Sequence, residues 1–161
     1  MHAADQVLDP GARLQHALDL AFRYLGRRDR TVLEVRRHLE SKRVEPATID
    51  QALTELASQG YLDDARYARL FAEDRRNLDG WGSERIERKL AAVGVPAEVI
   101  DATRAARSSE AELAAALEVL SRRLQSPPAD EREREKALGL LVRRGYELDV
   151  AYAAVRAFER G

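Results

Sequence analysis

Cysteine is absent from the 161 residues, which excludes disulfides and thiolate metal sites and fits a reducing, cytoplasmic setting. No run of about 18 apolar residues occurs, so the sequence offers no membrane-spanning segment. The first dozen residues lack the basic-then-apolar order of a secretory signal. Strand signals are missing too, because β-branched residues never alternate over a useful length. Histidine is confined to His2, His16 and His38, and no two stand at i, i+4 or HExxH spacing. No constellation for acid-base, nucleophilic or metal-assisted chemistry follows, so neither an enzyme nor a cofactor is expected. An excess of one charge is also lacking: 27 basic residues face 28 acidic ones, and the overall field does not drive the chain onto DNA.

What is present is helical periodicity, cut by capping residues and glycines. A first helix is expected from about Arg13 to Leu25, with Leu14, Ala17, Leu18, Ala21, Phe22 and Leu25 on one side and Gly26 as a left-handed stop. Thr31 and Glu34 form a capping box ahead of Val32, Val35 and Leu39. Pro46 opens a third helix, whose Ile49, Ala52, Leu53 and Leu56 face inward until Gly60.

The segment from Gly60 to Val95 repeats this plan. Asp63 or Asp64 caps a helix reaching Leu78, with Tyr67, Leu70 and Phe71 as its apolar stripe. Gly80-Trp81-Gly82 make a tight turn, and Ser83 caps a helix carrying Ile86, Leu90 and Val93. Pro96 then starts the helix of Val99, Ile100 and Thr103. A third copy begins with a capping box of Ser109 and Glu112. It continues through Leu113, Leu117, Leu120 and Leu124, breaks at Pro127-Pro128, and ends with helices Asp130 to Arg144 and one bearing Val150, Ala151, Ala154, Val155 and Phe158.

Subtraction exposes the repeat: Leu39, Leu90 and Leu141 stand 51 apart, as do Val44, Val95 and Tyr146. Ile49, Ile100 and Ala151 share that offset, while the opening helix of the third copy needs a short gap. A common apolar register of this kind marks tandem units that bury their faces against each other. The expected fold is all-α: nine helices in three tandem three-helix, helix-turn-helix-like repeats forming an elongated, curved array. The boundaries are a loose leader over 1–12, then repeats over 13–62, 63–107 and 108–161.

Only Lys42, Lys89 and Lys136 are lysine, so arginine forks suited to carboxylate or phosphate dominate the basic residues. Arg27, Arg28, Arg30, Arg36 and Arg37 straddle one turn. Arg75, Arg76, Arg85 and Lys89 straddle the central turn around Trp81, and Arg143 and Arg144 close the second helix of the third repeat. For a single arginine the better reading is a solvated face with i, i+4 acid partners, such as Glu84 with Arg88. Taken as clusters, these residues are candidates for contact with a polyanion or an acidic protein surface. Trp81 reads as a packing anchor or a contact residue, with packing preferred. Asp63-Asp64 read as helix capping rather than as a carboxylate pair, and His38 as a structural residue.

Gly60-Tyr61-Leu62-Asp63-Asp64, Arg75-Arg76 followed by Gly80 and Gly82, Ile86, Leu90 and Gly94-Val95, and Arg143-Arg144-Gly145-Tyr146 stand in one order. With Ala17, Tyr24-Leu25, Arg28 and Leu39 they resemble the RecX family of recombination regulators over roughly residues 14 to 158. The resemblance implies three tandem three-helix repeats. It further implies a protein that binds the RecA recombinase and its filament on single-stranded DNA. Such a protein inhibits ATPase, strand exchange and coprotease activity, works as a monomer in the cytoplasm, and bears on the SOS response and DNA repair. The near-neutral charge departs from more basic relatives and argues for at most weak direct DNA binding. The alternative is a stand-alone helix-turn-helix DNA-binding protein.

Overall fold

The computed structural model describes residues 9–161; residues 1–8 of the leader expected over 1–12 lie outside the described residues. Among the described residues there are nine α-helices, one π-helical segment and no strand. Helices α1 (Pro10–Leu25), α2 (Val32–Ser41) and α3 (Pro46–Ser58) form the first repeat. Helices α4 (Asp64–Asp74), α5 (Ser83–Ala92) and α6 (Ala97–Ala105) form the second, with the π segment Arg75–Asp79 extending α4. Helices α7 (Ser109–Arg123), α8 (Glu131–Arg143) and α9 (Leu148–Glu159) form the third.

The chain divides into two compact units, one taking residues up to Tyr67 with Val93–Val95, the other Ala68–Ala92 with Pro96–Gly161. In the first unit Ala17, Ala21, Val35, Leu39, Ile49, Ala52, Leu53, Leu56 and Leu62 make the core. These are the stripes that 3.6-residue spacing selects. In the second unit Ala116, Leu120, Ala137, Leu141, Tyr146, Ala151, Ala154 and Val155 form a corresponding cluster.

Several local expectations change. Helix α1 starts at Pro10, capped by the Asp9 side chain accepting from Ala12 N, so the break expected after residue 12 falls earlier. Gly26 is right-handed helical (φ −64°), not the left-handed stop expected. Leu70 is exposed and the buried face of α4 is Ala68 and Ala72, because small side chains let helices approach closely. Phe22 is exposed as well. Asp63, not Asp64, caps α4 by accepting from Arg66 N. Ser108, not Ser109, caps α7.

The carboxylates thus freed build a joint that the sequence does not announce, and it occurs once inside each unit. In the first unit Val32 N donates to Asp64 Oδ1 (3.0 Å) and Thr31 Oγ1 donates to Val93 O (2.6 Å). In the second, Ser83 N donates to Glu112 Oε2 (2.8 Å) and Gly82 N donates to Arg144 O (2.8 Å). Val32 and Ser83, Thr31 and Gly82, and Val93 and Arg144 are all 51 apart, so the period extends to the hydrogen bonds. In each case the second helix of one repeat has its N-terminal N–H groups satisfied by the repeat that follows. Burial pushes the Asp64 carboxyl above the ordinary carboxylate range, and the Val32 N–H acts in the opposite sense.

The turn under each joint is left-handed at Gly94 (φ +89°) and Gly145 (φ +98°), with Arg43 (φ +62°) at the matching position of the first repeat. A side chain at Gly94 would lie 2.3 Å from Leu33 Cδ2, and one at Gly145 would lie 2.2 Å from Arg85 Cβ. Glycine there meets two demands at once, a left-handed backbone and contact with the neighbouring helix.

Candidate interface for an anionic partner

The arginine cluster of the first unit separates into engaged and free members. The Arg30 guanidinium lies 4.0 Å from the centroid of the Tyr24 ring, and His38 stacks on Tyr24 with centroids 4.0 Å apart and an interplanar angle of 4°. Arg30 also stands 3.9 Å from Glu34 Oε2, and its side chain is only 12% exposed. It is a packing residue. The His38 pKa is lowered, by burial first and then by Lys42, Arg30 and Arg27, which keeps its imidazole neutral at pH 7. Arg28 donates to Glu34 Oε2 (3.2 Å), and Arg36 pairs with Asp50 Oδ1 at 2.8 Å. Arg27 and Arg37 are exposed, and their side chains make no ion pair among the described residues.

The central cluster is organised by Trp81. Its ring meets Phe71 edge-on (6.1 Å, 71°), and the Arg85 guanidinium sits 4.1 Å from its centroid. Arg75 lies 5.8 Å from the same ring and pairs with Asp79 Oδ2 at 2.5 Å. Each cation–π contact of this kind is worth about 0.5–2 kcal/mol, depending on desolvation. Trp81 is therefore the packing anchor of the turn, and Arg75 and Arg85 are held against it. Lys89 and Arg143 are exposed.

Arg76 behaves differently. It is half-buried, its pKa is lowered by burial first and then by nearby Arg107, and its Nε, like those of Arg30 and Arg75, is buried with no hydrogen-bond partner. It lines a cleft of about 380 Å³ between the π segment and the last turns of α7, together with Arg122, Arg123, Arg144, Asp79 and Glu118. Arg144 is fixed there by donating to Asp79 O at 2.5 Å. The tyrosine hydroxyl of Tyr146 donates to Gly80 O at 3.0 Å, which pins the left-handed residue ending the π segment. The Tyr146 pKa is pushed up to about 12, by burial first and then by Glu112.

Two further clefts continue from this one. The first shares Leu78, Asp79 and Arg144 with it and adds Trp81 and Arg85. The second shares Arg85 and adds Arg88 and Arg143. The structure thus gathers Arg76, Arg85, Arg143 and Arg144 of the predicted residues along one series of clefts. Arg122 and Arg123 were missed by sequence reasoning. Their adjacency in the last turn of α7 was a signal, but only the fold sets them beside Arg76.

Among the described residues no group of three His, Asp or Glu side chains could hold a metal ion, and no helix is long and apolar enough to cross a membrane. The domain families described as RecX first, second and third three-helix domain match residues 17–56, 63–103 and 110–155 in order. A Trichlorobacter lovleyi protein named regulatory protein RecX is 38% identical over 135 residues, covering 81% of this chain and 87% of that protein. A Leptothrix cholodnii protein of the same name is 34% identical over 137 residues, covering 84% and 85%. The crystal structure of RecX from Lactobacillus salivarius superposes with a TM-score of 0.82 at 16% identity, covering 92% of this chain and 98% of that one, which shows the fold.

Proposed function

The chain belongs to the RecX family, and from that premise we propose that it is a non-enzymatic regulator of the RecA recombinase. In this reading it binds RecA and its filament on single-stranded DNA and inhibits ATPase, strand exchange and coprotease activity, acting as a monomer in the cytoplasm. The observation that carries the reading is the full set of three RecX domains in order along one chain. Relatives matched over more than four-fifths of their length are named regulatory proteins.

The physical logic suits a polymer target. Basic residues held on separate repeats can meet successive subunits, so weak contacts add through effective concentration. Free guanidinium groups such as Arg27 and Arg37 are available to carboxylates of a protein partner, while those of the clefts suit phosphate. The test is the single-strand-dependent ATPase of the cognate RecA, titrated with this protein below the RecA concentration. Inhibition at a small fraction of one regulator per RecA is expected. An unchanged ATPase up to equimolar protein would overturn the proposal.

A further inference from the structure

We infer that the outward face of α9 is a protein-docking surface: Leu148 and Tyr152 anchor an apolar-edged acidic face of a RecA subunit, and Arg156 and Arg160 pair with its carboxylates. This rests on the RecA reading and adds which part of the chain meets protein instead of DNA. Leu148, Tyr152, Arg156 and Arg160 are all exposed and stand four residues apart, so they share one side of the helix and its end. Leu148 is 57% exposed and Tyr152 43%, while Ala151, Ala154 and Val155 carry the buried side.

The 51-residue period shows that this face differs from its counterparts. One and two periods back, the Leu148 position holds Ala97 and Pro46, the Tyr152 position Asp101 and Asp50, and the Arg156 position Ala105 and Thr54. Leu138 of α8 likewise matches Glu87 and Arg36. In the first repeat two of these positions form an exposed ion pair, Arg36 with Asp50 at 2.8 Å. In the second, Glu87 is held by Arg104 at 2.6 Å and Asp101 is exposed. The third repeat puts a half-buried leucine and an exposed tyrosine where the first has its ion pair. Polar side chains at this register suffice for the three-helix fold, as the first two repeats show, so folding does not call for the change. Exposed apolar surface rimmed by charge marks a contact site.

Charge decides what covers it. The Arg156 and Arg160 side chains make no ion pair among the described residues. Glu159, between them in sequence, is taken by Arg134 at 2.6 Å. Asp149 lies on the same side but seven residues before Arg156, roughly 10 Å along the helix axis. Two free guanidinium groups beside an apolar pair complement a surface that offers apolar contacts and carboxylates, and guanidinium–carboxylate pairing adds directional, charge-assisted hydrogen bonds. Tyrosine and arginine are also among the side chains that most often anchor protein interfaces. Neither Arg156 nor Arg160 lines the basic clefts around Arg76 and Arg85, so this face is separate from them.

The test reads inhibition of the single-strand-dependent ATPase of the cognate RecA by the full chain. Leu148→Ser with Tyr152→Ser, and separately Arg156→Glu with Arg160→Glu, should each raise the concentration for half-inhibition by about tenfold or more, with helicity unchanged by circular dichroism. Thr54→Glu with Ser58→Glu, at the matched positions of the first repeat, should change it less than about twofold. Binding of a fluorescent oligothymidylate to the chain without RecA, read by anisotropy, should stay the same in every variant. Third-repeat variants that inhibit as well as the unaltered chain, or an equal loss in the first-repeat control, would overturn the inference. A parallel loss of oligonucleotide affinity would overturn it too, giving the face to nucleic acid. So would a dimer of the unaltered chain in sedimentation velocity that Leu148→Ser with Tyr152→Ser dissolves, which would give the face to a second copy. No inhibition by the unaltered chain would instead overturn the RecA reading, and this assignment with it.

Discussion

Replacing Gly94 by alanine should destabilise the first unit far more than the same change at Gly60. Both glycines have left-handed backbones (φ +89° and +82°) and both belong to that unit. An L-residue in this region costs about 1–2 kcal/mol, and that cost is common to the two variants. They differ in what a methyl group would meet. At Gly60 nothing lies within 4 Å, whereas at Gly94 Leu33 Cδ2, Cβ and Cγ lie at 2.3, 2.5 and 2.9 Å. Leu33 Cβ is fixed by the α2 backbone, so rotation of the side chain relieves only part of the overlap. Overpacking of this kind typically adds about 1–3 kcal/mol. The total expected for Gly94→Ala is about 2–5 kcal/mol, against about 1–2 kcal/mol for Gly60→Ala. Urea unfolding followed by circular dichroism reads both as shifts in midpoint. Equal midpoint shifts would refute the reasoning, because they would mean that the Gly94 turn does not press on α2.

Leu90 is fully buried, so Leu90→Ala should cost about 2–5 kcal/mol in the same assay, and a change near zero would contradict its core position. Arg43 holds a left-handed conformation where the other repeats have glycine, and Arg43→Gly should stabilise by about 1 kcal/mol; a loss of stability would show that its side chain makes a contact that matters. Tyr146 is held neutral by burial, with its pKa pushed up to about 12 against an ordinary value of about 10. Its share of stability is therefore complete below pH 10 and lost between pH 10 and about 12, an effect of up to about 3 kcal/mol. Tyr146→Phe should flatten the alkaline limb of the stability profile, and an unaltered limb would assign that loss to other groups.

Much of the fold was legible because an apolar stripe is a local property. Ile49, Ala52, Leu53 and Leu56 recur at helical spacing and are all buried, and the 51-residue offset linking Leu39, Leu90 and Leu141 falls on fully buried positions. Local capping was legible where acceptor and donor lie three residues apart, as at Thr31 with Glu34. It misled where a side chain had a distant alternative. Asp64 and Glu112 read as capping residues of their own helices, yet they serve the N-termini at Val32 and Ser83.

Sequence alone determined the helical class, the three-fold repeat and the family resemblance, since each depends on spacing along the chain. It also flagged most of the arginines, because residue type is visible without a fold. Which of them are free was decided only by tertiary structure. Arg30 is packed away against Tyr24 and Arg85 is held against Trp81 at the edge of two clefts, while Arg122 and Arg123 come to lie beside Arg76, nearly fifty positions away. The reason is physical: a guanidinium acts through its desolvation and its partners, and both are set by whatever the fold brings within a few ångströms.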